Sequence, residues 1–219
     1  MRLKKAIEFL KPYVAGKPSD SKKTVKLNAN ECPYDLPRKI YRKASKIRNL
    51  NRYHEPSGFV LRKKLADSMG LTPESFILGN GSGELIQVYL QSFAEKDAEI
   101  IMSEATFTLY EMYGIINENK IIKIPLKKDF SMDLEQMASR VNHNTAAVFV
   151  CNPNNPTGHS YSYDELERFF KKIPENVGIF LDEAYIFYSK YNDDSRTVQL
   201  TQKYKNLFVL RTFSKIGLA

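Results

Sequence analysis

Apolar segments without polar alternation constrain the fold of this chain most strongly. Residues 146–150 (AAVFV), 177–181 (VGIFL) and 206–210 (NLFVL) are examples, and segments with helical periodicity lie between them. A strand that is apolar on both faces needs cover on both sides, which is typical of parallel sheets with helices packed on each face. The sequence therefore predicts an α/β fold built on a mostly parallel sheet.

The remaining elements follow the same alternation after residue 56. Short apolar stretches predict further strands at 76–78, 98–102 and 120–125. Apolar residues at helical spacing predict helices over 59–69, 84–93, 109–116, 133–140 and 163–172. Ser162 followed three residues later by Glu165 predicts a capping box at the start of the last of these helices.

Positive charge is concentrated near the N-terminus. The formal net charge is +8, and residues 1–52 hold 15 Lys and Arg against 4 Asp and Glu, while the rest hold 18 against 21. The densest run, at 38–48, fits either a nucleic-acid site or a solvated helix face with Ile40, Ala44 and Ile47 packed inward. No nucleic-acid motif accompanies the charge, which favours the helix face and predicts no nucleic-acid partner.

Several classes of protein are excluded by what the sequence lacks. No apolar stretch approaches the ~20 residues that a membrane-spanning helix needs, and the N-terminus lacks the pattern of a signal peptide. Cys32 and Cys151 are far apart, and the three histidines are dispersed, so no metal site is predicted. The expected location is the cytoplasm, with reduced thiols.

Four loops that follow predicted strands carry residues suited to chemistry, and ligands of open α/β sheets collect at the carboxyl ends of strands. Residues 79–83 (GNGSG) suit an anion at a helix start or a plain turn, but they lack the third glycine of a dinucleotide site. Residues 151–158 (CNPNNPTG) form a rigid turn that presents amides. Asp182 needs a partner, either a metal ion or a protonated ring nitrogen, and Lys215 is a candidate Schiff-base lysine.

Taken together and in this order, the four loops resemble those of the fold type I, class I and II aminotransferases, which use pyridoxal 5′-phosphate (PLP). Asp182 follows Asn155 by 27 residues, and Lys215 follows Asp182 by 33. Residues 27–33 (LNANECP) and 51–56 (NRYHEP) resemble the histidinol-phosphate aminotransferases as a group. The resemblance implies a three-layer α/β/α PLP-binding large domain over 51–219, incomplete at its C-terminus. It also implies an N-terminal arm with part of a small domain over 1–50.

The resemblance also implies a role for each matching residue. Lys215 corresponds to the lysine that bonds to PLP and carries a proton, and Asp182 to the partner of the pyridine nitrogen. The other implied contacts are Asn155 and Tyr185 with the phenolic oxygen, Phe107 with the ring face, Ser82, Gly83, Thr212 and Ser214 with the phosphate, Asn30 with the substrate, and Tyr53 with the substrate of the neighbouring subunit in a homodimer. Gly83 stands where the family often has an acidic residue.

The implied reaction moves an amino group between L-histidinol phosphate and 2-oxoglutarate, so the expected partners are small molecules. The resemblance further implies that these 219 residues are the N-terminal part of a longer enzyme and have little activity alone. Alternatives of the same fold are an aromatic or broad-specificity aminotransferase and a threonine-phosphate decarboxylase. Two further alternatives are an inactive dimerising remnant and a nucleotide-binding regulatory domain that would use 79–83 and Glu104.

Overall fold

A five-stranded parallel sheet forms the centre of the molecule. The structure, a computed structural model, describes residues 5–8, 10, 25, 27–32, 34–191 and 196–216. The strands are β1 (Glu99–Ser103), β2 (Lys120–Ile124), β3 (Thr145–Cys151), β4 (Gly178–Asp182) and β5 (Leu207–Leu210). They lie in the order β2-β1-β3-β4-β5, and every neighbouring pair is parallel. The predicted fold class is confirmed.

Helices cover both faces of this sheet. The α-helices of the described residues are α1 (Arg38–Ala44), α2 (Phe59–Met69), α3 (Ser82–Phe93), α4 (Thr108–Ile116), α5 (Leu134–Ser139), α6 (Tyr163–Phe170) and α7 (Arg196–Lys203), and α3 to α7 supply this cover. Side chains of α5, α6 and α7 pack on one face of the sheet, and those of α3 and α4 pack on the other. Alternate residues along one strand serve the two faces, as Val148 and Phe149 do in β3. No helix in the described ranges is long and apolar enough to cross a bilayer.

A row of aromatic rings crosses the α3–α4 face of the sheet. Phe149 stacks on Phe180 with ring centroids 4.8 Å apart, and Phe180 stacks on Phe208 at 5.0 Å. At the other end of the row, Tyr110 of α4 stacks on Phe149 at 4.7 Å. Offset aromatic stacking adds to the free energy of area burial and restricts ring orientation. The row therefore fixes Tyr110 beside the carboxyl end of β4.

The predicted strand at 76–78 is wrong. This segment follows a short 3-10 helix, Pro73–Ser75, and pairs with no strand in the described part of the chain. Ile77 is 73% exposed and Leu78 39% exposed, so neither side chain is in the core. Apolar residues favour a strand only where a neighbouring strand can satisfy the backbone hydrogen bonds, and no described strand pairs with this segment.

The basic run contains a helix, but its expected packing is wrong. Helix α1 has no buried residue, Ala44 is exposed, and Ile47 is 56% exposed. Ile40 is half-buried, but within the described ranges no residue of α1 belongs to a core cluster, so the helix does not present the expected apolar face to the core. The proposed arm at 1–50 lies partly outside the described residues, at 1–4, 9, 11–24, 26 and 33, and its boundary at residue 50 stays a prediction.

The predicted capping box at the start of α6 is confirmed. The Ser162 hydroxyl accepts a hydrogen bond from the Glu165 N–H at 3.4 Å, and the Glu165 carboxylate accepts one from the Ser162 N–H at 2.8 Å. These bonds satisfy two backbone donors that the first helical turn leaves unpaired.

Ser162→Ala is expected to lower the free energy of unfolding by about 1 kcal/mol, because the cap is lost while the core is untouched. Urea denaturation monitored by circular dichroism measures this change. Ser75→Ala, at an exposed serine outside any α-helix, is the control and should shift the midpoint little. Equal shifts in the two variants would show that the cap contributes nothing.

Candidate functional site

Three of the four predicted loops leave the sheet side by side. In the sheet register, Asp182 lies opposite Cys151 on one side and Leu210 on the other. The Asn152 N–H donates to the Asp182 carbonyl, and the Glu183 N–H donates to the Leu210 carbonyl, each at 2.8 Å. The turns after β3, β4 and β5 therefore begin at one level of one sheet edge, with Asp182 at the centre.

Asp182 is a buried carboxylate with two hydrogen-bond donors. It is 2% exposed, and its Oδ2 accepts from the Tyr110 hydroxyl at 2.6 Å while its Oδ1 accepts from the Ala184 N–H at 3.0 Å. Burial raises the pKa of Asp182, and the two hydrogen bonds oppose that rise. No ion pair joins Asp182 to a cation within the described ranges. Among the residues that the structure describes, this carboxylate therefore has no cationic partner.

Tyr110 was not predicted as a site residue. Burial and the nearby carboxylate raise the pKa of its hydroxyl well above the ordinary value, so the proton stays on tyrosine. The sequence could have indicated Tyr110 through its spacing, because it lies three residues after Phe107 and residues three apart are neighbours on a helix surface. The two rings meet edge to face, with centroids 5.5 Å apart.

Tyr110→Phe is expected to lower the free energy of unfolding at neutral pH by ~2 kcal/mol, because a buried carboxylate loses its shortest hydrogen bond. Chemical denaturation measures the loss. Tyr89→Phe is the matched control, since the Tyr89 hydroxyl donates to a neutral acceptor, the Ala146 carbonyl, at 3.2 Å. Removing that hydroxyl should cost ~1 kcal/mol. Equal losses would mean that the charge on Asp182 adds nothing to the Tyr110 bond.

Lys215 and Tyr185 come together at the same edge. The Lys215 Nζ lies 5.5 Å from the centroid of the Tyr185 ring. The Asn30 amide donates to the Tyr185 hydroxyl at 3.1 Å, which brings a residue from the N-terminal segment into the site. The Tyr188 hydroxyl donates to the Lys215 carbonyl at 2.8 Å, and Tyr188 is another residue that the sequence did not indicate. Three of the predicted site residues, Asn30, Tyr185 and Lys215, therefore lie close together.

Thr212 and Ser214 form a compact pair of hydroxyls just before Lys215. Their side-chain oxygens are 3.0 Å apart, and the Ser214 N–H donates to the Thr212 Oγ1 at 3.1 Å. Arg211, immediately before them, makes an ion pair of 2.8 Å with buried Glu183, a contact the sequence did not reveal. Burial raises the pKa of Glu183, and the positive charge of Arg211 opposes that rise. The pair ties the start of this turn to the end of β4.

Ser82 and Gly83 occupy the first two positions of α3, after Gly81, whose positive φ of +83° favours glycine. Their N–H groups belong to the set that the helix itself cannot satisfy. A Cβ on Gly83 would lie 3.2 Å from the Tyr113 hydroxyl and 3.3 Å from Leu109 of α4. Close packing of α3 on α4 therefore accounts for glycine at position 83. No contact recorded between described residues joins Ser82 or Gly83 to Lys215.

The remaining predicted residues differ in placement. Asn155 lines an open cleft of about 430 Å³ together with Asn30 and Tyr185. Phe107 contacts Tyr110, the residue whose hydroxyl donates to Asp182. Tyr53 is fully exposed, and no contact within the described ranges brings it to the site. Its predicted role across a subunit interface stays a prediction.

The described residues also contain no group of three His, Cys, Asp or Glu side chains able to hold a metal ion.

Comparisons with known proteins connect this site to a family. The model of the family described as aminotransferase class I and II matches residues 22–218. A histidinol-phosphate aminotransferase of Halalkalibacterium halodurans is 38% identical over 229 residues, covering 100% of this chain and 62% of the relative. The enzyme of the same name from Bacillus subtilis strain 168 is 36% identical over 228 residues, covering 100% of this chain and 63% of the relative.

Solved structures agree with the fold. Histidinol-phosphate aminotransferase from Sinorhizobium meliloti, in complex with pyridoxal-5′-phosphate, has a TM-score of 0.79 and 24% identity, over 87% of this chain and 52% of that one. L-threonine-O-3-phosphate decarboxylase from Porphyromonas gingivalis has a TM-score of 0.70 and 19% identity, over 85% of this chain and 56% of that one. At these identities the likeness concerns the fold alone. The chain spans about six tenths of the length of the curated relatives it matches.

Proposed function

The chain belongs to the class I and II aminotransferase family, and we propose that it acts in the transfer of an amino group from L-histidinol phosphate to 2-oxoglutarate. The products would be imidazole-acetol phosphate and L-glutamate. The observation that carries the proposal is the buried carboxylate of Asp182, without a cationic partner in the described ranges, at the same sheet edge as Lys215. The named substrates come from the curated relatives, which are histidinol-phosphate aminotransferases over the full length of this chain.

The residues at this edge fit PLP as cofactor. A protonated pyridine nitrogen is a cation of the kind that Asp182 lacks, and pairing with it would offset the cost of burying that charge. When bound, PLP supplies an aldehyde that takes up the amino group and a protonated ring that withdraws electrons from the adjacent carbon. The residues that would hold it are Asp182 at the ring nitrogen, Asn155 and Tyr185 at the phenolic oxygen, Phe107 at the ring face, and Ser82, Gly83, Thr212 and Ser214 at the phosphate.

The phosphate contacts follow from elementary electrostatics. The first N–H groups of α3, which the helix itself cannot satisfy, and the helix dipole favour an anion at this N-terminus. The hydroxyls of Thr212 and Ser214 can rotate to donate to phosphate oxygens. The Asn30 amide already donates to the Tyr185 hydroxyl, which leaves the Tyr185 proton free to be donated elsewhere. Tyr185 can therefore serve the phenolic oxygen while Asn30 holds its ring in place.

Lys215 would attach the cofactor covalently and then move a proton. Its Nζ lies near the Tyr185 ring, at the sheet edge where it would hold the cofactor. Acting as a base, the amine would accept the proton from the substrate carbon that bears the amino group, and acting as an acid it would deliver that proton to the aldehyde carbon of the cofactor. The Tyr188 hydroxyl, bonded to the Lys215 carbonyl, restrains the backbone from which this amine extends.

The proposal also covers the subunit arrangement, the substrate pocket and the location in the cell. We propose a homodimer in which Tyr53 reaches the substrate phosphate in the neighbouring subunit, because its ring is fully exposed here. Asn30 would line the substrate pocket, which its position in the cleft supports. We propose a cytoplasmic location, and the two free cysteines, Cys32 and Cys151, are in keeping with it.

Product analysis tests this function. The native gene product, purified with PLP, is incubated with L-histidinol phosphate and 2-oxoglutarate, and glutamate formation is measured. Tyrosine and phosphothreonine replace the donor in parallel reactions. We expect glutamate from histidinol phosphate at a kcat/KM at least about tenfold above that with tyrosine. Preferred turnover of tyrosine would indicate an aromatic aminotransferase, CO₂ release from phosphothreonine a decarboxylase, and no turnover of any donor would contradict the proposal.

A further inference from the structure

Asn154 makes a buried cross-link between two turns of the site. It is 2% exposed and lies in the turn that follows β3. Its Oδ1 accepts from the Thr106 hydroxyl at 2.9 Å, and its Nδ2 donates to the Ala105 carbonyl and to the Thr157 hydroxyl, each at 3.0 Å. A carbonyl only accepts, so the Ala105 contact fixes which way the amide points.

The backbone of Asn154 is held as firmly as its side chain. Its N–H donates to the His159 carbonyl at 2.9 Å, and its carbonyl accepts from the Gly158 N–H at 2.7 Å. The turn is thereby closed on itself. The side-chain bonds then attach this closed turn to the segment after β1, where Phe107 immediately follows Thr106, and Asn155 follows Asn154 directly.

We propose that Asn154 is a positioning residue that sets the separation between Phe107 and Asn155, the residues assigned to the face and the phenolic edge of the cofactor ring. The inference rests on the proposed function. Phe107 and Asn155 each follow a residue of this cross-link directly in sequence. Loss of the Asn154 hydrogen bonds therefore lets the two turns move independently. Asn155 would then lose alignment with the phenolic oxygen, although Asn154 itself touches no reacting atom.

The chain supplies a matched control in the same turn. Asn152 is also 2% exposed, and its side chain also makes buried hydrogen bonds, donating to the Tyr161 carbonyl at 3.3 Å and accepting from the Tyr161 N–H at 2.7 Å. Both of these bonds go to the backbone of Tyr161, which lies outside the segment that carries Phe107. Asn152 therefore shares the burial and the chemistry of Asn154 without the cross-link.

The test compares Asn154→Leu with Asn152→Leu in the native gene product, because leucine is close to asparagine in size and adds no charge. The readouts are the melting temperature without cofactor, the Kd for PLP, and the pH midpoint of the visible absorbance of the bound cofactor. Both variants should lose thermal stability. Only Asn154→Leu should weaken PLP binding, by about tenfold, and move the pH midpoint, by about one unit.

Thr106 provides a second, milder pair of variants in case Asn154→Leu fails to fold. Thr106→Val removes the hydroxyl that donates to Asn154 and should reproduce the shift in pH midpoint, while Thr106→Ser retains the hydroxyl and should restore the parent value. If the parent binds PLP at Lys215 but Asn154→Leu and Thr106→Val leave the Kd and pH midpoint as Asn152→Leu does, this inference alone is overturned. If the parent takes up no PLP, the proposed function fails, and the inference fails with it.

Discussion

Lys215→Ala is expected to lower the rate of amino transfer by about 10³-fold or more, because the substitution removes the amine that we propose as both the covalent anchor and the group that moves the proton. The fold should survive, since Lys215 is only half-buried and its side chain packs in neither core cluster. Initial rates with L-histidinol phosphate measure the loss, and the visible absorbance reports whether the cofactor is still held without a covalent bond.

Lys190→Ala is the matched control for this experiment. Lys190 is an exposed lysine whose amine lies 4.8 Å from the Tyr191 ring centroid, so it shares with Lys215 a tyrosine neighbour but lies outside the proposed site. Its removal should leave the rate within about twofold of the parent. A Lys215→Ala protein with more than about a tenth of parental activity would refute the role assigned to this amine.

Asp182→Asn is expected to have opposite effects on activity and on stability. The rate should fall by about 10³-fold, because a neutral amide no longer favours the protonated ring nitrogen. Without cofactor, however, the melting temperature at neutral pH should rise, because the substitution removes a charge that burial disfavours. This pattern is typical of a functional residue that is kept at a cost in stability.

The sign of the pH dependence follows from the direction of the pKa shift. The folded protein holds the Asp182 proton more tightly than the unfolded chain does, since burial raises the folded pKa. Between the unfolded and the folded pKa the native state therefore binds more protons, and stability falls as pH rises through this range. Above the folded pKa this loss of stability is complete. The stability gain of Asp182→Asn should accordingly be present at neutral pH and disappear below about pH 4, the ordinary pKa of aspartate.

Asp129→Asn serves as control for this second experiment. The Asp129 carboxylate also accepts from one hydroxyl and one N–H, both of Ser131, at 2.6 and 3.1 Å, but it is exposed. These bonds lower its pKa, so its contribution to stability is present above the unfolded pKa and is lost as pH falls. Asp129→Asn should therefore slightly lower the melting temperature at neutral pH and leave activity unchanged. Stabilisation by both substitutions, or by neither, would contradict the assigned role of burial.

The order of strands and helices could be predicted because it rests on local patterns. All five strands of the sheet begin and end within two residues of their predicted positions, since apolar runs such as 146–150 have no other way to be buried. The strand prediction at 76–78 was wrong because a strand also needs a neighbouring strand for its backbone hydrogen bonds. Composition alone does not show whether such a neighbour is present. Helix α7, with only Thr197, Val198 and Leu200 buried, was not predicted because its apolar pattern is too short.

The candidate site was only partly predictable. Asn155, Asp182 and Lys215 carry recognisable local motifs, so their residue types and spacing could be interpreted from the sequence, although their roles stay predictions. Tyr110 and Asn154 carry no such motif. Tyr110 meets Asp182 across 72 residues of chain, and Asn154 meets Thr106 across 48. Contacts at that separation depend on the register of the sheet and the packing of α4, which periodicity does not specify.

Chemical trapping of the cofactor tests the central claim most directly. The native gene product is incubated with PLP and reduced with borohydride, which fixes a covalent bond between an amine and the cofactor, and the labelled peptide is identified by mass spectrometry. We expect one stoichiometric label, on Lys215, that is absent from Lys215→Ala and present in Lys190→Ala. A label on another lysine, or no label in a protein that transfers amino groups, would contradict this claim.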